Sequence, residues 1–115
     1  MQQKVLLDFG KKKISVEAQV VGKIGRTVGL MFSRREKAKI LLFKFKKPTR
    51  LAIHSFFVFF PFIAIWIGSD GKIMEIREVK SFIPYIVPKK NFISLVEIPL
   101  NRKYKKVTDD IERFK

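Results

Sequence analysis

Residues 51–69 read LAIHSFFVFFPFIAIWIGS, a run of nineteen residues without a formal charge between Arg50 and Asp70. A helix of this length could cross a bilayer, because roughly 20 residues span the hydrocarbon core. Pro61, near the middle of the run, opposes a helix because it lacks an amide donor and clashes with the preceding turn. The many aromatic and β-branched residues favour strands instead. We therefore predict two buried strands, 51–60 and 62–67, and keep a membrane span over 51–69 as the minor alternative.

The residues that follow the run support strands. Gly68, Ser69, Asp70 and Gly71 form a turn signal, and residues 72–79 then alternate between apolar and charged types, as a returning strand would. Residues 5–9 and 14–20 predict a hairpin, since Ile14, Val16 and Ala18 recur with a period of two. Further strands are predicted over 40–46, where Pro48 would close the strand, and over 92–98, with a proline-rich loop over 82–90.

Helical signals are few. Ser33 and Glu36 have the spacing of a capping box, which predicts one short helical turn over 33–39. Thr108 and the acids after it could cap a C-terminal helix or lie before a closing strand, and the local signals leave both open. The glycine-rich segment 22–29 is predicted to be a connecting loop, because its order of glycine and lysine differs from that of a phosphate-binding loop. The fold class predicted is all-β, mainly antiparallel, a jelly-roll-like β-sandwich or barrel with one short helical turn.

Composition limits the chemistry. The 115 residues suit one domain spanning 1–115, and 47% of them are hydrophobic, including 12 phenylalanines. The absence of cysteine excludes disulfides, thiolate metal sites and cysteine nucleophiles. The first residues have no apolar segment typical of a secretory signal, so we expect a cytoplasmic protein. We expect no cofactor.

The net charge is +15 and the isoelectric point is near 10.4. Such a field attracts polyanions, including nucleic acid and acidic lipid. The same charge could serve only solubility, since self-repulsion keeps a small apolar domain dispersed. Both interpretations stay open at the level of sequence.

Four segments together resemble a known family. They are Gly29-Leu30-Met31-Phe32, residues 41–45, Pro61 with the run to Asp70-Gly71-Lys72, and residues 92–99. Their order and spacing over about residues 14–110 resemble the uncharacterised domain-of-unknown-function family number 192. The resemblance implies a jelly-roll-like β-sandwich and argues against a membrane span. It also implies that Asp109 or Asp110 closes a turn before a final strand at 111–114, and it implies no activity.

The chain departs from that family's pattern around Pro61. The family carries a polar segment before the proline and an aspartate two residues after it. The matching positions hold Ser55, Phe56, Phe57 and Val58 before the proline and Ile63 after it. The resemblance therefore implies that hydrocarbon replaces any polar site here, which argues against catalysis and for an apolar partner.

His54, the only histidine, lies inside the apolar run. A single histidine does not make a usual metal site without carboxylates, so we expect a hydrogen-bonded histidine in the core or at an interface and leave its role open. Ser55 is its neighbour, but adjacent residues of a strand point to opposite faces and cannot share a proton. We therefore predict no hydrolase pair, no catalytic residue and no metal ligand.

Two candidate binding surfaces remain. The first is an apolar interface for self-association or a protein partner, formed by Phe56, Phe57, Phe59 and Phe60. The second is a basic ridge that would bind nucleic acid, formed by Lys44, Lys46, Lys47 and Arg50. Stacking of bases requires exposed aromatic rings, whereas most of the aromatic residues have the spacing of core positions. The sequence thus predicts a non-catalytic binding module first, polyanion binding second, and a membrane-associated protein with a span at 51–69 last.

Overall fold

The computed structural model describes residues 2–21, 30 and 33–114. Its strands form one six-stranded sheet in the order β1-β2-β3-β6-β4-β5. Neighbours are antiparallel except for β2 and β3, which are parallel. The strands are β1 (Gln2–Asp8), β2 (Lys13–Val20), β3 (Leu41–Thr49), β4 (Phe62–Ile67), β5 (Ile73–Val79) and β6 (Phe92–Pro99). A 3-10 helix (Arg35–Lys37) precedes β3, and helix α1 (Lys105–Phe114) ends the described chain.

The mainly β prediction is confirmed, with a mixed sheet in place of a purely antiparallel one. The six described strands belong to a single sheet rather than to the two facing sheets of a sandwich. Its two edge strands, β1 and β5, approach a common cleft of about 510 Å³, lined by Asp8, Phe9 and Gly10 on one side and by residues 72–76 on the other. The sheet therefore curls into a half-barrel.

The predicted hairpin is confirmed. Ile14, Val16 and Ala18 are buried, while the residues between them are exposed. Asp8 fixes the turn, because its Oδ1 accepts a hydrogen bond of 2.8 Å from the amide of Gly10, which has a φ of +87°. The predicted segment 22–29 and three of the four residues of the Gly29-Leu30-Met31-Phe32 motif lie outside the described residues.

The central run is half strand and half loop. Strand β4 has the predicted bounds and is buried at every position, since it lies between β6 and β5. The predicted strand over 51–60 is wrong: only Ile53 forms a bridge, to Ile86, and a turn follows at Phe56 and Phe57. Both edges of β4 are already paired, so this segment crosses one face of the sheet instead of extending it. The predicted membrane span over 51–69 is wrong as well, because the run is loop and strand. No helix in the described ranges has the length and apolarity that a membrane span needs.

The turn after β4 is confirmed. The amide of Gly71, at a φ of +81°, donates to the carbonyl of Gly68 at 2.9 Å, and Asp70 Oδ1 accepts from the amide of Lys72 at 3.0 Å. Strand β5 then returns as predicted. Strand β3 continues through Pro48 to Thr49, so the prediction that Pro48 closes it is wrong by one residue.

The predicted helical turn is a three-residue 3-10 helix, but the capping box is wrong. No side chain caps its start. Glu36 Oε1 instead accepts a hydrogen bond of 2.9 Å from the amide of Arg102, while the Asn101 side-chain amide donates to the carbonyls of Arg35 and Ala38 at 2.8 and 3.1 Å. Tertiary contacts thus replace the local cap.

The C-terminal segment is a helix, and the final strand that the family resemblance implied is wrong. Helix α1 begins at Lys105, and Thr108 lies inside it, with its hydroxyl donating to the carbonyl of Lys105 at 3.0 Å. Asn101 Oδ1 accepts from the amide of Tyr104 at 3.2 Å just before the helix. Ile111 is fully buried against the sheet. The helix therefore forms because its apolar face covers the curled sheet.

Two apolar layers lie on opposite faces of the sheet. In β4, the isoleucines 63, 65 and 67 belong to the layer under α1, whereas Phe62, Ala64 and Trp66 belong to the other. The second layer also contains Val58, Phe60 and Ile86, which come from the segments between β3 and β4 and between β5 and β6. These two segments, 50–61 and 80–91, are called loop A and loop B below.

Candidate docking surface

Loops A and B are joined by backbone hydrogen bonds. Ile53 and Ile86 exchange two bonds of 2.8 Å each. The amide of Ser55 donates to the carbonyl of Ile83 at 2.7 Å, and the amide of Phe82 donates to the carbonyl of Ser55 at 2.8 Å. Because the loops satisfy each other's backbone groups, they form one layer over the sheet.

Ser55 is the buried centre of this layer. Its hydroxyl donates to the carbonyl of Lys80 and accepts from the amide of Ile83, both at 2.6 Å. His54 points outward and is exposed, and its Nδ1 accepts from the amide of Phe56 at 3.2 Å. The prediction of a hydrogen-bonded histidine is confirmed, but a core position is wrong. Both side chains are thus bonded to loop backbone rather than to each other.

The outer side of the two loops carries five exposed aromatic side chains, which we call the aromatic patch. The exposed fractions are 43% for Phe56, 50% for Phe57, 61% for Phe59, 52% for Phe82 and 68% for Tyr85. Leu51 and Ile83 on the same loops are also exposed. Three of the four predicted interface phenylalanines therefore lie on the surface. The fourth, Phe60, is 1% exposed and belongs to the core, so its assignment to an interface is wrong.

Four of the five rings lie in two contacting pairs, one of which joins the two loops. The Phe59 ring of loop A meets the Phe82 ring of loop B nearly edge to face, with centroids 5.5 Å apart and an interplanar angle of 78°. Within loop A, the rings of Phe56 and Phe57 lie 6.5 Å apart and that of His54 lies 5.8 Å from Phe56. The contact between Phe59 and Phe82 therefore joins the aromatic residues of the two loops.

Two members of the patch have unusual backbone conformations. Phe57 has a φ of +60° and Phe82 a φ of +64°, and among the described non-glycine residues only these two are positive. A bulky residue in this region costs roughly 1–2 kcal/mol. The carbonyl of Ser55 closes the turn around Phe57 through the amide of Val58 at 3.1 Å and also binds the amide of Phe82. Ser55 thus stabilises both strained positions, and such strain is typical of functional surfaces.

The segments of sequence that carry the patch contain basic residues and no acids. No aspartate or glutamate occurs in residues 37–69 or in residues 79–96, the two ranges that include loops A and B. The two ranges contain nine basic residues: Lys37, Lys39, Lys44, Lys46, Lys47, Arg50, Lys80, Lys89 and Lys90. Four of the nine, Arg50, Lys80, Lys89 and Lys90, belong to loops A and B themselves, and Glu75 of β5 lies against loop B, where its Oε1 accepts a hydrogen bond of 2.9 Å from the amide of Lys89. A docked partner would therefore meet a net positive charge on the loops.

The predicted basic ridge is exposed at all four positions. Strand β3 pairs regularly through Lys44, opposite Ser94, and resumes at Thr49, opposite Phe92, so Lys46 and Lys47 lie in a bulge that interrupts the alternation. Lys44 donates to the side chain of Gln3. Arg50 Nε and Nη2 donate to the carbonyl of Pro88 at 3.2 and 3.0 Å, which connects the end of the ridge to loop B.

Glu97 is a buried acid that sequence reasoning missed. It lies in β6 opposite Leu41 and Ala64, only 6% exposed, and burial raises its pKa to about 8. Trp66, opposite Leu95 on the same face, has a buried Nε1 without a hydrogen-bond partner in the described structure. The sequence does carry a signal of this burial, because Glu97 is the one charged residue within the apolar segment 95–100. These groups lie under the loops, within the sheet, rather than in the patch.

No group of three or more histidine, cysteine, aspartate or glutamate side chains in the described ranges is placed to hold a metal ion. The geometry that stands out is consequently a surface, formed by the exposed aromatic residues and the basic residues of loops A and B.

Comparisons with known proteins show the fold. No family model and no curated protein matches the sequence significantly, so the resemblance to family 192 stays a prediction. A crystal structure of a proposed transcription regulator from Sinorhizobium meliloti is similar, with a TM-score of 0.76 and 21% identity over 94% of this chain and 87% of that one. A protein of unknown function from Novosphingobium aromaticivorans has a TM-score of 0.74 and 14% identity over 93% and 79% of the two chains. At these identities the similarity shows a shared fold.

Proposed function

We propose that this domain is a non-catalytic binding module that docks an anionic partner through the aromatic patch and the basic residues around it. One observation carries the proposal: two joined loops carry five exposed aromatic side chains, in segments that contain bases and no acids. Exposed apolar surface of this kind is typical of interaction sites. Burying one such side chain stabilises a complex by about 1.5–3 kcal/mol, before the cost of association.

A second copy of the chain fits the patch less well than an anionic partner. A dimer sealed by the patch would bring together two sets of the four basic residues of loops A and B, namely Arg50, Lys80, Lys89 and Lys90, without an acid from the same loops. Like charges within about 8 Å of each other repel at physiological salt. Self-association is therefore the competing outcome in the experiment below.

The experiment compares a patch variant, Phe59→Gln with Tyr85→Gln, with the matched control Leu6→Gln. Leu6 is 55% exposed on β1, away from both loops, so the control removes a similar apolar side chain elsewhere. Retention is measured on immobilised heparin, a single-stranded oligonucleotide and anionic vesicles, with sedimentation velocity for self-association. We expect patch-dependent retention on at least one anionic probe. Retention that the patch variant leaves unchanged on every probe would contradict the proposal, as would patch-dependent dimerisation alone.

Nucleic acid is the second candidate partner, acting on the basic ridge. Lys44, Lys46, Lys47 and Arg50 are exposed, and exposed aromatic rings, which base stacking needs, occur on loops A and B, so both features support this candidate. Fluorescence anisotropy of labelled single- and double-stranded oligonucleotides across a salt series tests this candidate. Affinity that falls steeply with salt and weakens in Lys46→Gln with Lys47→Gln would support it. No binding at low salt would remove it.

A further inference from the structure

We propose that the occupant of the aromatic patch is the surface of an anionic lipid bilayer, into which the tips of loops A and B insert. This inference rests on the proposed binding function and names its partner. It needs no membrane span, since only exposed side chains of two loops enter the region between headgroups and acyl chains.

The apolar side chains favour lipid over nucleotide bases. Leu51, 54% exposed, and Ile83, 37% exposed, extend the patch with aliphatic surface, which offers no π-face for stacking. The edge-to-face contact of Phe59 with Phe82 also turns these rings against each other instead of leaving two parallel open faces. Acyl chains accept apolar groups of any orientation. Tyr85, the most exposed of the five, pairs an apolar ring with a hydroxyl, the combination enriched at membrane interfaces.

Basic residues on and beside the two loops would meet the lipid headgroups. The backbone of Lys80 is bonded to Ser55 beneath the patch, while Arg50 is bonded to Pro88 of loop B. Lys47, Lys89 and Lys90 are exposed in the same acid-free segments. Long basic side chains can lay their methylene stems along apolar surface and extend the charge toward phosphate. Inserted aromatic side chains with such a basic surround are the two signals that stable peripheral binding requires.

The loops present these side chains in a fixed arrangement. Phe57 and Phe82 are held at positive φ by hydrogen bonds to the Ser55 carbonyl, directly and through the closed turn. Side chains that are already ordered before binding lose less entropy when they insert. The strain at these two positions therefore has a use in the bound state.

Vesicle flotation tests the inference, with neutral phosphatidylcholine vesicles and the same vesicles containing phosphatidylglycerol. We expect the protein to float with the anionic vesicles only, and the variant Phe59→Gln with Tyr85→Gln to bind at least about tenfold more weakly. Leu6→Gln should bind like the wild type. Near-UV circular dichroism of the buried Trp66 confirms that each variant is folded.

The other outcomes separate the two proposals. Patch-dependent binding of a single-stranded oligonucleotide or heparin without vesicle binding would overturn the lipid inference and leave the binding function standing. Vesicle binding that the patch variant retains in full would also overturn the inference, because the charge alone would then suffice. If no anionic probe binds, the lipid inference and the proposed function fall together.

Discussion

The hydroxyl of Ser55 and the amide of Ile83 form a hydrogen bond of 2.6 Å that joins loop A to loop B inside the protein. The same hydroxyl donates to Lys80, and the backbone of Ser55 binds Phe82 and Ile83. The arrangement of the aromatic patch on the surface thus depends on one small buried polar side chain beneath it.

Replacing Ser55 with alanine should therefore loosen both loops. The change leaves the Lys80 carbonyl and the Ile83 amide without their partner, which typically costs about 1–3 kcal/mol. We expect the free energy of unfolding in urea to fall by that amount and hydrogen exchange in loops A and B to accelerate. Ser15→Ala on the exposed face of β2 is the control, and it should change the stability by less than about 0.5 kcal/mol. Equal stabilities for the two variants would contradict the role of Ser55.

Phe59 and Phe60 are neighbours with opposite environments, and their alanine variants should differ accordingly. Phe60 is 1% exposed in the layer under the loops, so Phe60→Ala should lower the free energy of unfolding by about 3–5 kcal/mol. Phe59 is 61% exposed, and Phe59→Ala should cost less than about 1 kcal/mol while weakening binding to anionic vesicles. Urea denaturation and flotation on the same preparations measure both effects. A large loss of stability in Phe59→Ala would place this ring in the core instead.

Glycine at Phe57 should separate stability from binding. Phe57 has a φ of +60°, a conformation that glycine adopts without steric cost, so Phe57→Gly relieves strain while it removes an exposed ring. We expect the free energy of unfolding to change by no more than about 1 kcal/mol in either direction, because glycine also gains entropy in the unfolded chain. Binding to anionic vesicles should weaken. Gly10→Ala is the converse control, because Gly10 has a φ of +87° that alanine adopts only with strain. This variant should be less stable than the wild type and bind anionic vesicles equally well.

Glu97 should make the stability of the domain depend on pH. Burial raises the pKa of its carboxyl from 4.5 to about 8, so the folded protein binds a proton that the unfolded chain releases between these values. Below about pH 4.5 the carboxyl is protonated in both states and does not affect the free energy of unfolding. That free energy falls as the pH rises toward 8, and above pH 8 it is lower by about 4–5 kcal/mol. Glu97→Gln should flatten this dependence and be the more stable protein at about pH 9. Urea denaturation at several pH values, with Glu17→Gln on the exposed face of β2 as control, measures the difference. A variant no more stable than the wild type in alkali would show that the carboxyl is not buried as described.

The elements predicted well from the sequence are those whose local pattern and tertiary environment agree. Ile14, Val16 and Ala18 alternate because one face of β2 meets the core, and Asp70 and Gly71 form the turn they signal. The failures share one cause, which is that distant partners decide the structure. Glu36 binds Arg102 rather than Ser33, and the tail becomes a helix because Ile111 covers the sheet.

The patch was predicted in part for the same reason. An uncharged run indicates burial, and a strand would have buried alternate phenylalanines. Residues 57–60 do alternate, with Val58 and Phe60 inward, but the turn at Phe56 and Phe57 breaks the alternation and leaves both of these rings exposed. Phe82 and Tyr85 join them only because loop B pairs with loop A, through contacts that no local pattern in 82–90 encodes.

Quenching of a tryptophan at position 59 by brominated lipids reports directly on whether the aromatic patch enters the bilayer. Trp66 is fully buried and should not respond in the wild type, so the signal in Phe59→Trp reports on the patch alone. We expect the fluorescence of Phe59→Trp to be quenched in anionic vesicles and little in neutral ones, and that of the wild type to be quenched in neither. Vesicle-bound Phe59→Trp protein without quenching would place the patch outside the lipid and contradict its insertion.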